Sequence, residues 1–434
     1  MWEIEGKRTS DLAQVQKYFN LKYSPMVQSL LDQDLYKFTM SQLYHTKFSS
    51  MHATWDFKAR NVGDDCEKEK YTQDDLEEIK KQLQAYCSLR FEDYELKWLS
   101  DSKARPWIHH NFVNFLKFWH PVFSDITVES DEKTGLSVTV KGVQEYVSYY
   151  EIPILEIAAE VYYRNHYFYD GLVKAFKEKT LEKLDKMNKG IYNPGVFSEF
   201  GTRRRLSYET QEWLIETLKN EKAKNDGPIQ GFIGTSNCHL ARKFGLTAVG
   251  TMAHEYIESV GQGLPYHNPA YSNWYALDAW IDFYGTKNGI ALTDTIGTDV
   301  FLKDFQTTFA TVFSGVRHDS GDPYEWGEKM INHYKSLGID PLTKTLMFSD
   351  SLDLEKATNL YKYFRTKAKV AFGIGTDWSG PQSTKALNIV CKVVKVNGRD
   401  VAKLSDVPGK VTCRSQEAVD RLKSEIAWRM KHEN

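Results

Sequence analysis

The sequence predicts a mixed α/β protein: an irregular β/α barrel preceded by an N-terminal α+β domain, to which the C-terminal tail can return. Three observations carry this. From Gly195 onward, short β-rich runs alternate with amphipathic helical runs, the mark of parallel strands joined by helical crossovers. Up to Tyr150 the pattern is a strand, helices and a hairpin, and beyond residue 387 it is again a hairpin followed by a helix. At 434 residues the chain should hold more than one domain, at roughly 150 residues each. The changes of pattern divide it into 1–150, 151–387 and 388–434.

Residues 25–45 open with a turn and then show helical spacing at Leu35, Phe38 and Leu43, with Asp32 or Asp34 as the expected cap. In 53–60, Trp55 and Phe57 alternate with polar neighbours, which predicts a strand. Helices are expected over 72–88 and 92–100. A hairpin follows, with Ile126 and Val128 facing Val138 and Val140 across a loop at 131–135. Pro153 then introduces helical runs at 154–164 and 171–189, the second ended by Gly190.

Strands are expected at 195–200, 230–233, 246–250, 289–294, 313–317, 345–348 and 370–373. Helices such as 209–222, 274–283, 325–336 and 354–367 lie between them. Seven such units favour a closed or nearly closed barrel over an open sheet. In the tail, 388–396 and 400–404 flank Asn397-Gly398, a two-residue hairpin signal, and 416–431 reads as one amphipathic helix.

The residues just past each strand are informative about chemistry. In order the strand ends carry Glu199 to Arg205, Gly234 to Asn237, His254-Glu255, Asp294, Arg317 to Pro323, Ser349 to Ser351 and Gly373 to Asp377. In a parallel barrel these meet at one rim, where such folds place their sites. Helix capping explains the Ser, Thr and Asp residues, but it has no need of Arg203, Arg317 or His254. Arginines, helix starts and backbone-exposing glycines together suit an anion bearing several phosphates.

Short motifs exclude several classes. Gly373-Ile-Gly375 lacks the third glycine of a dinucleotide fingerprint, and the run from Gly375 to Gly380 continues into Pro381 where a P-loop has Lys. His254-Glu255 has no second zinc-binding histidine, and no Gly-x-Ser-x-Gly occurs. A net charge of −2 argues against a duplex nucleic acid partner. No run approaches about eighteen uncharged apolar residues, and the N-terminus has no apolar leader, so a soluble cytoplasmic protein with no membrane partner is expected. Five scattered cysteines without a Cys-x-x-Cys pair fit a reducing compartment.

Seven segments together resemble a known family. They are Leu31-Asp32-x-Asp34-x-Tyr36-Lys37, Ser198-Glu-Phe-Gly-Thr-Arg-Arg-Arg205, Gly234-Thr-Ser-Asn237, Gly250-Thr-x-Ala-His-Glu255, Ala291-Leu-Thr-Asp-Thr295, Gly315-Val-Arg-x-Asp-Ser-Gly-Asp-Pro323 and Phe372-Gly-x-Gly-Thr376. In this order, over nearly the whole chain, they resemble the nicotinate phosphoribosyltransferase family.

The resemblance implies a homodimer and an ATP-coupled reaction, the first step of NAD salvage. Nicotinate and phosphoribosyl pyrophosphate would give nicotinate mononucleotide and pyrophosphate by way of a phosphohistidine, here His254. A neutral imidazole accepts a phosphoryl group if its other nitrogen is held by a carboxylate. Asp294 is the first candidate for that role, and Glu255 the second. Arg203 with Mg²⁺ would neutralise the leaving pyrophosphate, and Asp319 would hold ribose hydroxyls or a magnesium-bound water.

Thr202, Ser349, Asp350, Gly375 and Thr376 complete the expected phosphoribosyl pyrophosphate site, the last two through amides around the 5′-phosphate. Arg317 would pair with the nicotinate carboxylate, and the ring would lie between Phe200 and a Tyr36 from the partner subunit. Ser236, where amide-using relatives carry an acid, favours nicotinate over nicotinamide. The metal ligands are not legible. Nicotinamide phosphoribosyl transfer is the nearest alternative. A barrel glycosidase built on Asp294, Asp319 and Asp350 leaves the arginines and His254 idle, and a non-catalytic metabolite-binding protein has no use for His254, Arg317 and Asp319 together.

Overall fold

The computed structural model describes residues 1–64 and 66–433. Its strands, in chain order, are β1 (Trp2–Ile4), β2 (Lys7–Thr9), β3 (His52–Ala59), β4 (Ile126–Glu129), β5 (Ser137–Val143), β6 (Val196–Glu199) and β7 (Phe232–Thr235). They continue with β8 (Thr247–Ala248), β9 (Ile290–Leu292), β10 (Gly315–His318), β11 (Thr345–Phe348), β12 (Lys369–Ile374), β13 (Ile389–Val396) and β14 (Arg399–Asp400).

The alternation read in β3 buries Ala53, Trp55 and Phe57 on one face of an antiparallel sheet ordered β14-β13-β3-β5-β4. Each large ring removed from water contributes about 1.5–3 kcal/mol. The C-terminal strand β13 pairs along β3 from Ile389↔Ala59 to Val396↔Ala53, so the tail does rejoin the N-terminal sheet. The turn between β13 and β14 has positive φ at both Asn397 and Gly398, the geometry that an Asn-Gly hairpin requires. Only Arg399 and Asp400 pair in β14, and the expected strand over 400–404 breaks off there.

The second sheet is entirely parallel and ordered β8-β7-β6-β12-β11-β10-β9. It curls but stays open between β8 and β9, against the expectation of a closed or nearly closed barrel. Strand β8 is only two residues long, and the chain after it turns into a short α-helix (His254–Tyr256), a π-helical stretch (Ile257–Gln262) and a helix (Ser272–Tyr284). The π-helical and Ser272–Tyr284 segments are wedged tightly, since a Cβ on Gly261 would lie 2.6 Å from Cα of Ser272.

Helices Tyr208–Lys224, Pro323–Ser336 and Leu354–Phe364 cross between strands as the periodicity predicts. Among the described residues no helix is long and apolar enough to cross a membrane.

Candidate active site

The C-terminal ends of the parallel strands bring the predicted polar residues to one rim, around His254. This histidine begins its helix with its ring buried. Nδ1 lies 2.9 Å from Oγ1 of Thr295, and Nε2 lies 2.9 Å from Oδ2 of Asp319 and 2.8 Å from Nζ of Lys403. Burial first, and then the charge of Lys403, bring its pKa down to about 4 despite the nearby Asp294 and Asp319. The ring is therefore neutral at pH 7, and its tautomer decides which neighbour it bonds. With the proton on Nδ1, Nε2 accepts from Lys403; with the proton on Nε2, it donates to Asp319.

Thr295 meets Nδ1, while Asp294, the first candidate to orient the ring, stands on the side of Nε2. The carboxylate of Asp294 lies 3.7 Å from Nε2 instead, because alternation along the segment after β9 sends Asp294 and Thr295 to different sides of the ring. Asp294 accepts from Ser320 at 2.5 Å and lies 3.3 Å from Lys403, while its buried Oδ1 has no hydrogen-bond partner among the described residues. Glu255, the second candidate, points away from the imidazole and pairs with Lys37.

Burial would raise the carboxyl of Asp319, but the hydrogen bond to His254 and the charges of Lys403 and Arg317 hold it well below the usual range. Ser349 donates to the carbonyl of His318 and to Asp319, and Asp350 pairs with Lys410 at 2.6 Å. Arg317 leaves β10 and donates to the carbonyl of Met252, in the loop that delivers His254. Its Nε is buried with no hydrogen-bond partner among the described residues.

A second cluster forms where helix Leu35–Lys47 meets the end of β7. Backbone contact between Asp34 and Asn237, and a bond from the amide of Leu35 to the carbonyl of Ser236, seat that helix on the rim. The chain's own Tyr36 is thereby placed with its hydroxyl 3.5 Å from Glu151, whose other oxygen is 3.5 Å from Arg203.

Asp34 stands at the N-cap of the helix, but its carboxylate accepts from Ser236 at 2.7 Å and caps no amide. Ser236 thus spends its hydroxyl on the Asp34 carboxylate. Asp32 is no cap either. It pairs at 2.9 Å with Arg205, which also meets Glu156 at 3.1 Å, all three fully buried.

The run Arg203 to Arg205 therefore divides its labour. Arg203 reaches the rim with its side chain 42% exposed, while Arg205 is structural. Thr202, expected at phosphate, is fully buried; its hydroxyl accepts from Gln211 at 3.2 Å and Asn237 at 3.4 Å, so it braces the loop from within.

Phe200 lies over Gly373, where an added Cβ would come within 2.4 Å of its ring, and its carbonyl presses on Gly375. These glycines are required by close approach. Gly375 follows β12 directly and leads into the single helical turn Thr376–Ser379, so both expected phosphate amides sit at that strand end.

Sequence reasoning missed the lysines. Lys403 reaches His254 because the tail packs back on the rim: the amide of Leu404 donates to the carbonyl of Thr295, and Lys403 and Thr412 exchange backbone bonds. Lys392, in β13, lies 3.9 Å from Glu151. Lys37 bridges Glu151, at 2.6 Å, and Glu255. The available signal was a lysine within each of two strand-like tail segments, where a charge is costly unless paired.

Comparison with known proteins agrees with this geometry. The model of the nicotinate phosphoribosyltransferase (NAPRTase) family matches residues 196–428, and that of its N-terminal domain matches 31–159. A nicotinate phosphoribosyltransferase of Acinetobacter baylyi is 39% identical over 396 residues, covering 90% of this chain and 94% of the relative. The crystal structure of nicotinate phosphoribosyltransferase from Porphyromonas gingivalis superimposes with a TM-score of 0.81 at 32% identity, over 92% of this chain and 99% of that one. That of a putative nicotinate phosphoribosyltransferase from Saccharomyces cerevisiae gives 0.83 at 29% identity, over 94% and 99%. With both family models matched in order and the rim assembled around His254, the chain belongs to the nicotinate phosphoribosyltransferase family.

Proposed function

We propose that the chain transfers the phosphoribosyl group of phosphoribosyl pyrophosphate to nicotinate, and couples this to ATP through phosphorylation of His254. The observation that carries the reading is a buried neutral imidazole whose Nε2 faces both an ammonium, Lys403, and a carboxylate, Asp319. With the proton on Nδ1 toward Thr295, the Nε2 lone pair attacks the γ-phosphorus; the N–P bond forms as the bond to the β-phosphate oxygen breaks and ADP leaves. Lys403 offsets the charge arriving on the ring.

In the transfer step the pyridine nitrogen attacks C1 of the ribose, the C1–O bond breaks, and pyrophosphate departs toward Arg203 and the lysines. Arg317 pairs with the nicotinate carboxylate, contributing about 1.5–3 kcal/mol as a charge-assisted bond, and Phe200 and Tyr36 supply ring faces. Ser349 bears on the ribose through Asp319, with Asp350 next to it in the chain, while the amides of Gly375 and Thr376 serve the 5′-phosphate.

The donor atoms of His254, Asp294 and Asp319 lie within 4.8 Å of one another with the Lys403 ammonium among them, so the two carboxylates suit a magnesium ion once Lys403 withdraws from them. Asp294 and Asp319 would hold it, and it would shield the pyrophosphate charge. As a homodimer in the cytoplasm, the protein would feed NAD synthesis.

The test is incubation with γ-labelled ATP followed by peptide mapping. An acid-labile, alkali-stable label on the His254 peptide is expected. Pyrophosphate release from nicotinate and phosphoribosyl pyrophosphate without any label would remove the phosphohistidine and leave the transferase.

A further inference from the structure

Lys37 carries a fully buried charge: none of its side chain is exposed, so no substrate reaches it. Its Nζ packs 4.7 Å from the centre of the Trp55 ring and pairs with two acids, Glu151 at 2.6 Å and Glu255. Glu151, itself buried, divides its two oxygens between the interior and the rim. Oε2 takes Lys37 and, at 3.5 Å, the hydroxyl of Tyr36, while Oε1 faces Arg203 at 3.5 Å and Lys392 at 3.9 Å.

These distances rank the counter-ions. A charge-assisted N–H···O bond closes to about 2.7–2.9 Å, so Lys37 is the tight partner of Glu151, and Arg203 and Lys392 are loose ones. Burial would raise the carboxyl of Glu151, but Lys37 foremost, then Lys392 and Arg203, hold it below the usual range, so it stays ionised. A buried carboxylate must keep a cation close. Because Lys37 fills that place from the interior, Arg203 is not drawn in. Its pairing with Glu151 is its one ion pair among the described residues, and 42% of its side chain stays exposed at the rim.

We propose that Lys37 is a positioning residue that keeps Arg203 available to the pyrophosphate group by saturating Glu151 from behind. This rests on the reading that Arg203 serves a phosphate-bearing substrate. Without the Lys37 ammonium, Glu151 closes on Arg203 and the arginine is lost to the anion. Removing the charge of Glu151 as well sets Arg203 free again.

The experiment is calorimetric titration of the full chain with inorganic pyrophosphate. Lys37→Met is expected to weaken binding about tenfold, the loss of one charge-assisted bond. The double variant Lys37→Met with Glu151→Gln should return to within about threefold of wild type, less than one such bond. A purely structural role predicts the opposite, since a second buried substitution adds to the damage of the first; a double variant as weak as Lys37→Met, or weaker, overturns the proposal. Glu151→Gln alone keeps Lys37 and should bind pyrophosphate at least as tightly as wild type. Weaker binding by that variant also overturns the proposal, whether or not Lys37→Met folds. Failure of the substrate reading shows separately, as Arg203→Ala that binds pyrophosphate as tightly as wild type, and it takes the proposal with it.

Discussion

Nζ of Lys403 stands 2.8 Å from Nε2 of His254, although 149 positions separate them in the chain. The contact ties the buried histidine to the tail, and after burial it is the second cause of the histidine's lowered pKa.

Lys403→Met removes one of the two causes that depress the pKa of His254. The folded value, about 4, lies below the ordinary 6.5, so folding favours the neutral ring. That contribution is present above 6.5 and lost as pH falls through 4. In the variant the imidazole resonances of His254 should titrate nearer 6.5 by NMR. A midpoint still near 4 would show that burial alone sets it.

Arg317→Ala should raise the KM for nicotinate by about tenfold or more, the equivalent of a charge-assisted bond, with a smaller effect on phosphoribosyl pyrophosphate. Steady-state kinetics with each substrate varied in turn measures this. Equal losses for both would remove Arg317 from the carboxylate.

Gly373→Ala puts a methyl group where the Phe200 ring lies, at 2.4 Å, so the ring must move. Overpacking of this kind costs about 1–3 kcal/mol of stability. Chemical denaturation should register that loss, with a weaker affinity for nicotinate beside it. Unchanged stability would mean that the ring has room to yield.

Arg205→Met leaves Asp32 and Glu156 as buried acids without their cation. Breaking a buried pair from one side costs about 3–5 kcal/mol. The melting temperature should fall by several degrees, and more so as pH rises, since raised pH ionises Glu156, whose carboxyl burial holds well above the usual range. A variant as stable as wild type at pH 8 would refute the structural role of Arg205.

The sequence alone determined the order and type of most elements. Trp55 and Phe57 alternate in a period of two, and the βα repetition from Gly195 onward recurs as seven parallel strands, because both signals are local periodicities. It also named the rim residues His254, Asp294, Arg317 and Asp319, since a residue type at a strand end is readable without coordinates.

Tertiary structure decided the partnerships. Whether Asp32 caps a helix or neutralises Arg205, whether Asp294 or Thr295 meets Nδ1 of His254, and which lysines enter the site all depend on contacts between residues far apart in sequence. The seam between β8 and β9 stays open because β8 is only two residues long and the chain after it is helical and packed. Lys403 enters through backbone pairing of the tail with Thr295 and Thr412. A buried charge must find its counter-charge wherever the fold places one, and that choice leaves no periodicity in the chain.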